Sequence, residues 1–275
     1  MKGRKDMDNF ADERDQKILE KDKFTFIVLK RIINGENELL LTDHERFILC
    51  FSGEDNPVWI WLPDDSSEDE KSRAYEIAKE NLLVDGKHTF NLKYDLAEYF
   101  IKRAEEDGLK LSVITNMLTY DNPDPVELVF PAEGDVYIPS EEDYPVLADI
   151  LYRFSHEIDL NKKTKEEFEP DARYMIANDN IYFWKDAEGN ITGSCRYKPV
   201  GEGLCTVNLV FVYPEYRRRH YAENLVYHVT KTAADAGYLP VLYTNADYVA
   251  SNECYKKIGY RINGRLCTIG YKKED

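Results

Sequence analysis

The chain has 275 residues and a mass of 32.1 kDa, enough for one large domain or two of ordinary size, each with a buried core. Against 36 basic side chains stand 52 acidic ones, a formal charge of −16. That surface repels phosphate backbones and anionic bilayers, so neither a nucleic-acid nor a membrane partner is expected. With 43% apolar and 13% aromatic residues the chain is too rich in core-forming side chains to be disordered.

Residues 1–23 are dominated by charge and read as an N-terminal extension. No apolar stretch follows the basic start, so no secretory signal is expected. No run approaches the ~18 apolar residues of a membrane helix. From Phe24 the pattern changes. FTFIVLKRII and ELLLTDHERFILCFS read as two strands around the turn Asn34–Asn37, and PVWIWLP is a third apolar run in which Trp59 and Trp61 read as core. Ser67 and Glu70 offer a capping box for a helix whose apolar positions are Ala74, Ile77 and Ala78. A second helix from about Leu96 to Asp107 stops at Gly108, and KLSVITNML follows as a strand. Strands alternate with helices, which indicates an α/β domain over residues 24–130. The Pro-punctuated loop from Tyr120 to Pro125 reads as the boundary to a second domain, 131–275.

That second domain begins with the short strand VYI. Ser140 to Asp143 then cap a helix with an apolar face of Val146, Leu147, Ile150, Leu151 and Phe154. Thr164 and Glu167 form another capping box before a helix with Pro170 near its first turn. A hairpin over Asn180–Pro199, the apolar strand LCTVNLVFV, a helix from about Tyr221 to Ala236, the strand LPVLYT and a helix capped by Asp247 follow in turn. Two strands around Asn263–Gly264 close the chain. The five cysteines (50, 195, 205, 254, 267) include no CxxC pair and read as reduced, buried thiols of a cytoplasmic protein. The five histidines (44, 88, 156, 220, 228) show no HxH or HExxH spacing, so no metal site is expected.

The chemistry concentrates in VFVYPEYRRRHYAENLVYHV, residues 210–229. An apolar strand ends at Pro214, three arginines follow, and an amphipathic helix starts. Unpaired N–H groups and the positive end of the helix dipole meet Arg217, Arg218 and Arg219 there, an arrangement suited to phosphate. On their own, three arginines before a helix are more often only a solvated surface turn.

The segment PEYRRRHYA, 214–222, resembles the pyrophosphate motif of the GNAT superfamily of acyl-CoA-dependent acyltransferases, Gln/Arg-x-x-Gly-x-Gly/Ala. Arg217 fills the first position and Ala222 the last, while His220 stands where glycine is usual. A second segment, ASNECYKKIGY, 250–260, resembles the family's later motif through Asn252, Tyr255, Gly259 and Tyr260. Tyr248 departs from it, standing where a further Asn is often seen. The resemblance covers about residues 134–275. It implies an α/β (α+β) GNAT fold, a mixed and mostly antiparallel sheet flanked by helices. It further implies acetyl-CoA as co-substrate. Backbone groups of Val210, Phe211 and Val212 would pair with the pantetheine arm. The N–H groups of Arg218, Arg219, His220, Tyr221, Ala222 and Glu223 would hold the pyrophosphate, and the arginine side chains would offset its charge. Asn252 would bond the pantetheine or fix the helix start, and Tyr255 would protonate the leaving thiolate.

No general base is identifiable. The strand before the motif carries Asn208 but no carboxylate, and His156 and Glu157 read as ordinary surface unless they line the acceptor site. Residues 24–130 lack both motifs, and since some relatives carry two tandem folds, this half is expected to be a degenerate copy. The expected activity is acetyl transfer to a primary amine of a small molecule or peptide, with an acidic surface favouring a cationic acceptor. A monomer or homodimer is expected. A non-catalytic acyl-CoA-binding module is the alternative. A tandem aminoacyl transferase using charged tRNA is disfavoured by the charge.

Overall fold

A computed structural model describes residues 7–54, 56–158 and 163–271. Among these residues two compact units form. The first takes residues 7–119, 245–247 and 263–271; the second takes 120–244 and 248–262. The cut at Tyr120 falls at the start of the loop Tyr120–Pro125 read as the boundary, and residues 245–247 and most of the last strand group with the first unit.

The first unit runs α1 (Glu13–Leu19), α2 (Ile27–Ile32), β1 (Leu39–Thr42), β2 (Ile48–Phe51), β3 (Val58–Trp61), α3 (Glu68–Glu80), β4 (Phe90–Leu92), α4 (Tyr94–Glu106) and β5 (Leu111–Asp121). Strands β1, β2 and β3 pair antiparallel, and β4 joins β3 in parallel across helix α3. The closing strand β11 (Arg261–Tyr271) pairs antiparallel with β4 through Cys267–Ile269. The core packs Ile60, Tyr75, Phe90 and Phe100 between this sheet and helices α3 and α4. The box of Ser67 and Glu70 caps α3, and Ala74, Ile77 and Ala78 are buried as the spacing requires.

Three expectations are corrected here. The run 24–33 is not a strand: a short apolar run fits strand and helix alike, and Ile27, Leu29 and Ile33 are buried on and just after a helix. The charged start is not a mere extension either. Residues 1–6 lie outside the described residues, but Asp8 bridges to Thr42 of β1 and Leu19 of α1 is fully buried. Finally, Asn263–Gly264 makes no turn, because β11 runs straight through it. A Cβ on Gly264 would lie 1.9 Å from Thr25 Oγ1 and 2.7 Å from Thr119 Oγ1, so this glycine serves close approach.

A polar knot anchors α1. His44, itself in the left-handed region, sets Nδ1 2.7 Å from Asp15 and Nε2 3.0 Å from Asp8, and the Thr42 hydroxyl donates to Asp15 at 2.6 Å. Potential ligand atoms of Asp12, Asp15 and His44 lie within 4.8 Å of one another. This grouping of residues far apart in sequence is one that motif spacing cannot reveal, and its members are occupied by one another and by Thr42 and Arg14.

The second unit runs β6 (Asp135–Tyr137), α5 (Tyr144–Glu157), α6 (Glu169–Asn178), β7 (Asn180–Lys185), β8 (Ile191–Gly201), β9 (Leu204–Val212), α7 (Tyr221–Asp235), β10 (Leu239–Asn245) and α8 (Val249–Lys257), with β11 after it. Strands β6 to β9 pair antiparallel in order, and β10 pairs parallel with β9. Its core sets Leu147, Ile150 and Leu151 of α5 against Phe183, Leu209 and Phe211. The Thr164–Glu167 box forms, and Pro170 sits at the start of α6. Helix α8 differs from expectation: its N-cap is Tyr248, not Asp247, and no side chain caps it.

The two halves of the chain repeat one element order. Asp8 bridging β1, then α1-α2-β1-β2-β3-α3-β4-α4-β5, is answered by β6-α5-α6-β7-β8-β9-α7-β10-α8-β11. In both, the third strand is followed by a helix and then a parallel strand. That common step makes α3 and α7 equivalent in the chain.

Candidate functional site

The strand that leads to the arginine turn is irregular. Ser194 of β8 faces Phe211 of β9, while Arg196 faces Asn208, so β9 holds an extra residue between them. Leu209 takes the left-handed conformation there, φ 51°, and its carbonyl accepts the Ser194 hydroxyl at 3.0 Å. Such a bulge re-aims the backbone beyond it, here Val210, Phe211 and Val212. Parallel pairing of β9 with β10 runs over Leu204–Thr206 and Leu239–Val241. Beyond Thr206, the β10-facing edge of β9 lies outside that register, and its last residues offer main-chain groups to an extended ligand.

The turn after β9 alternates its backbone. Arg217 is extended, whereas Arg218 and His220 sit at φ 62° and φ 63°. Alternation of this kind turns successive N–H groups toward one side and forms an anion-binding nest. His220 thus keeps the left-handed geometry that glycine would adopt freely. The first helix N–H to reach a backbone acceptor is that of Asn224, which donates to the His220 carbonyl at 3.1 Å. The N–H groups of Tyr221, Ala222 and Glu223 precede it in the unpaired first turn of a helix of 15 residues.

The three arginines divide. Arg217 does not offer its side chain outward: Nε donates to the Val212 carbonyl at 2.9 Å and the guanidinium pairs with Glu157 at 2.7 Å. It shapes the turn and ties it to α5, which corrects the expectation that all three side chains offset phosphate. Arg218 and Arg219 are exposed, and among the described residues no carboxylate lies within ion-pair distance of either. Arg219 lies over the Tyr216 ring. The Tyr221 side chain is buried and stacks on Trp184, so only its N–H faces the nest. Ala222 is half-buried. Glu223 would repel an anion, but Lys257 at 2.6 Å and His220 at 2.8 Å take up its charge. Burial works against that carboxylate, and these two hydrogen bonds still hold it below the usual glutamate range.

An exposed left-handed arginine with no ion pair among the described residues costs about 1 kcal/mol. Arg218→Gly is therefore expected to raise stability by about 0.5–1 kcal/mol in denaturant melts. A drop in stability would show that the turn is not strained there.

The second motif lies on α8. Asn252 is buried; its Nδ2 donates to the Tyr248 carbonyl at 2.9 Å and its Oδ1 accepts the Tyr120 hydroxyl at 3.1 Å. It fixes the helix start in place of a cap. Tyr255 is 7% exposed, with Tyr120 and Tyr260 ring centroids 6.1 and 5.9 Å away. The Tyr260 hydroxyl is engaged with Thr230 at 2.8 Å. The Tyr255 hydroxyl, by contrast, has no hydrogen-bond partner among the described residues. Burial, followed by the neighbouring Cys254, Cys195 and Tyr120, pushes its pKa well above the ordinary tyrosine value, so it holds its proton. Burial pushes the adjacent Cys254 thiol up to about 12, so it is no nucleophile. Gly259 closes the motif at φ 100°, and a Cβ there would press on Val126 and Asp124 at 3.0 and 3.1 Å.

Neither base candidate stands ready. His156 donates Nδ1–H to the Tyr152 carbonyl at 2.8 Å, and Glu157 is taken by Arg217. Asn208 is bonded to Arg196 at 2.7 Å. Sequence reasoning missed Tyr120, which it left in the boundary loop, and Phe130, which it left at the end of the first domain; Phe130 stacks on His220.

The model of the acetyltransferase (GNAT) family matches residues 147–260. Among solved structures, a GCN5-related N-acetyltransferase from Sphaerobacter thermophilus is 12% identical, with a TM-score of 0.68 over 96% of this chain and 94% of that one. A GNAT-family acetyltransferase from Colwellia psychrerythraea is 13% identical, with a TM-score of 0.59 over 97% and 99%. At such identities the likeness speaks for the fold. No curated protein sequence matches. Both motif segments fall within the matched span: residues 147–260 match the acetyltransferase (GNAT) family model, and the chain has the fold of the GNAT acetyltransferases.

Proposed function

We propose that this chain is an N-acetyltransferase that moves an acetyl group from acetyl-CoA to a primary amine by direct attack in a ternary complex. The observation that carries this reading is the turn 217–223. It joins unpaired N–H groups, a left-handed nest and two unpaired arginines in a domain of an acyl-CoA-using family. These groups suit a diphosphate, and the free edge of β9 suits the pantetheine amides. The acceptor amine attacks the thioester carbonyl, and the tetrahedral adduct expels the thiolate. Tyr255, neutral and with its hydroxyl unengaged, gives the proton to that sulfur. Holding the two substrates in line supplies much of the remaining acceleration. With His156 and Glu157 both engaged, the amine's proton leaves through water.

The acidic surface, net −16, favours a cationic acceptor such as a polyamine, an aminoglycoside or a lysine side chain. The first unit reads as a degenerate copy. Its element order is the same, but α3 starts with Glu68, Asp69 and Glu70, and the Ser67 hydroxyl already takes the Glu70 N–H of its first turn. Phosphate is repelled where α7 would attract it. The test is a thermal-shift titration with acetyl-CoA. At 100 times its Kd the ligand should add about 2.7 kcal/mol of stability, and CoA release should then follow with one member of an amine panel. No shift with any acyl-CoA would defeat the reading. A shift without turnover on any amine would favour the binding module instead.

A further inference from the structure

The loop between Tyr120 and β6 is pinned at both ends within the second unit. Near its start, Asn122 Nδ2 donates to the Ile258 carbonyl at 3.0 Å, and the Val126 N–H donates to the same carbonyl at 2.8 Å. Farther on, Asn224 Nδ2 donates to the carbonyl of Phe130 at 3.3 Å and to that of His220 at 2.9 Å. One amide thereby clips two residues that are 90 positions apart, and their rings lie stacked, with centroids 6.0 Å apart and planes 29° from parallel. The Phe130 residue nevertheless remains 66% exposed. A large aromatic left that open beside an anion nest, and held in place by a dedicated hydrogen bond, is not explained by packing of the core.

His220 belongs to both features: its backbone forms the nest and its ring forms half of the pair. A diphosphate in the nest carries its ribose and base within one sugar's length. The flat, electron-rich faces of Phe130 and His220 are the kind of surface on which a purine stacks. We propose that Phe130 and His220 form a stacking surface for the purine of the donor. The protein would then read the nucleotide end of an acyl-CoA, and would discriminate against an acyl group carried on a bare phosphopantetheine arm. This rests on the reading of the turn 217–223 as the diphosphate site.

The test compares CoA with 4′-phosphopantetheine by isothermal titration on the full chain, as wild type, Phe130→Ala and Phe130→Trp. Stacking of one base predicts that Phe130→Ala weakens CoA about 5- to 20-fold. It should leave 4′-phosphopantetheine within twofold and leave the melting curve in place, while Phe130→Trp restores CoA. Equal or tighter CoA binding by Phe130→Ala overturns the proposal, as does an equal loss of both ligands. A wild-type protein that binds neither ligand overturns the diphosphate site itself, and this inference with it.

Discussion

A Tyr255→Phe protein should bind acetyl-CoA within twofold of the wild type and turn over at least about 100-fold more slowly with a saturating amine. The change removes one oxygen. The ring stays between Tyr120 and Tyr260, so packing is kept, and the lost hydroxyl had no partner among the described residues whose hydrogen bond would be forfeited. Stability should therefore hold or rise slightly. The proton for the departing thiolate would have to come from water, and the barrier rises by that difference. Because the unsubstituted hydroxyl titrates well above the ordinary tyrosine value, the wild-type rate should show no loss attributable to this group up to about pH 10. Equal turnover in the two proteins, read by thiol release under saturating acceptor, would remove Tyr255 from the chemistry.

The second large effect is electrostatic. Replacing Arg218 and Arg219 together by glutamate should weaken CoA by about 30- to 100-fold at physiological salt, with kcat at saturation little changed. Each reversal exchanges an attraction for a repulsion toward the diphosphate, worth about 1 kcal/mol per site in partly screened surroundings. Glutamate is no more strained than arginine in the left-handed turn, so stability serves as an internal control. The loss should shrink as ionic strength rises. Arg217→Glu should behave differently, because it breaks the bonds to Val212 and Glu157 and disturbs the turn itself. A double variant that binds CoA as the wild type does would place the diphosphate elsewhere.

The second unit was legible because its signals agree across levels. Capping boxes, Pro170, the helix face of Leu225, Val226, Val229 and Ala233 and the two motif segments all fell where the chain needed them. Much of the first unit was hidden. Ile27–Ile32 is too short for periodicity to separate helix from strand. Asn263–Gly264 has turn chemistry but serves a close approach to Thr25 and Thr119 that no local pattern encodes. The repeat was expected only by analogy with tandem relatives, because it lies in element order, not in residues. At the site, the backbone of 217–223 could be anticipated from a motif, but the diversion of Arg217 toward Glu157 depends on a partner 60 positions away. The clip from Asn224 to Phe130 spans 94 positions, and nothing in either residue announces the other.

On the proposed reading of the first unit as a degenerate copy, the two helix starts differ in how their first turns are satisfied. At α3 the side chain of Glu70 accepts the N–H of Ser67, and Ser67 in turn receives that of Glu70. The helix carries its own anion at its start, and the Glu70 N–H is already taken in the absence of any guest. At α7 the equivalent place has no such internal partner. A handful of substitutions toward serine and glutamate would therefore stabilise a helix while extinguishing its affinity for phosphate. Loss of function of that kind is thermodynamically downhill, and a silent copy can persist as scaffold without any pressure to unfold.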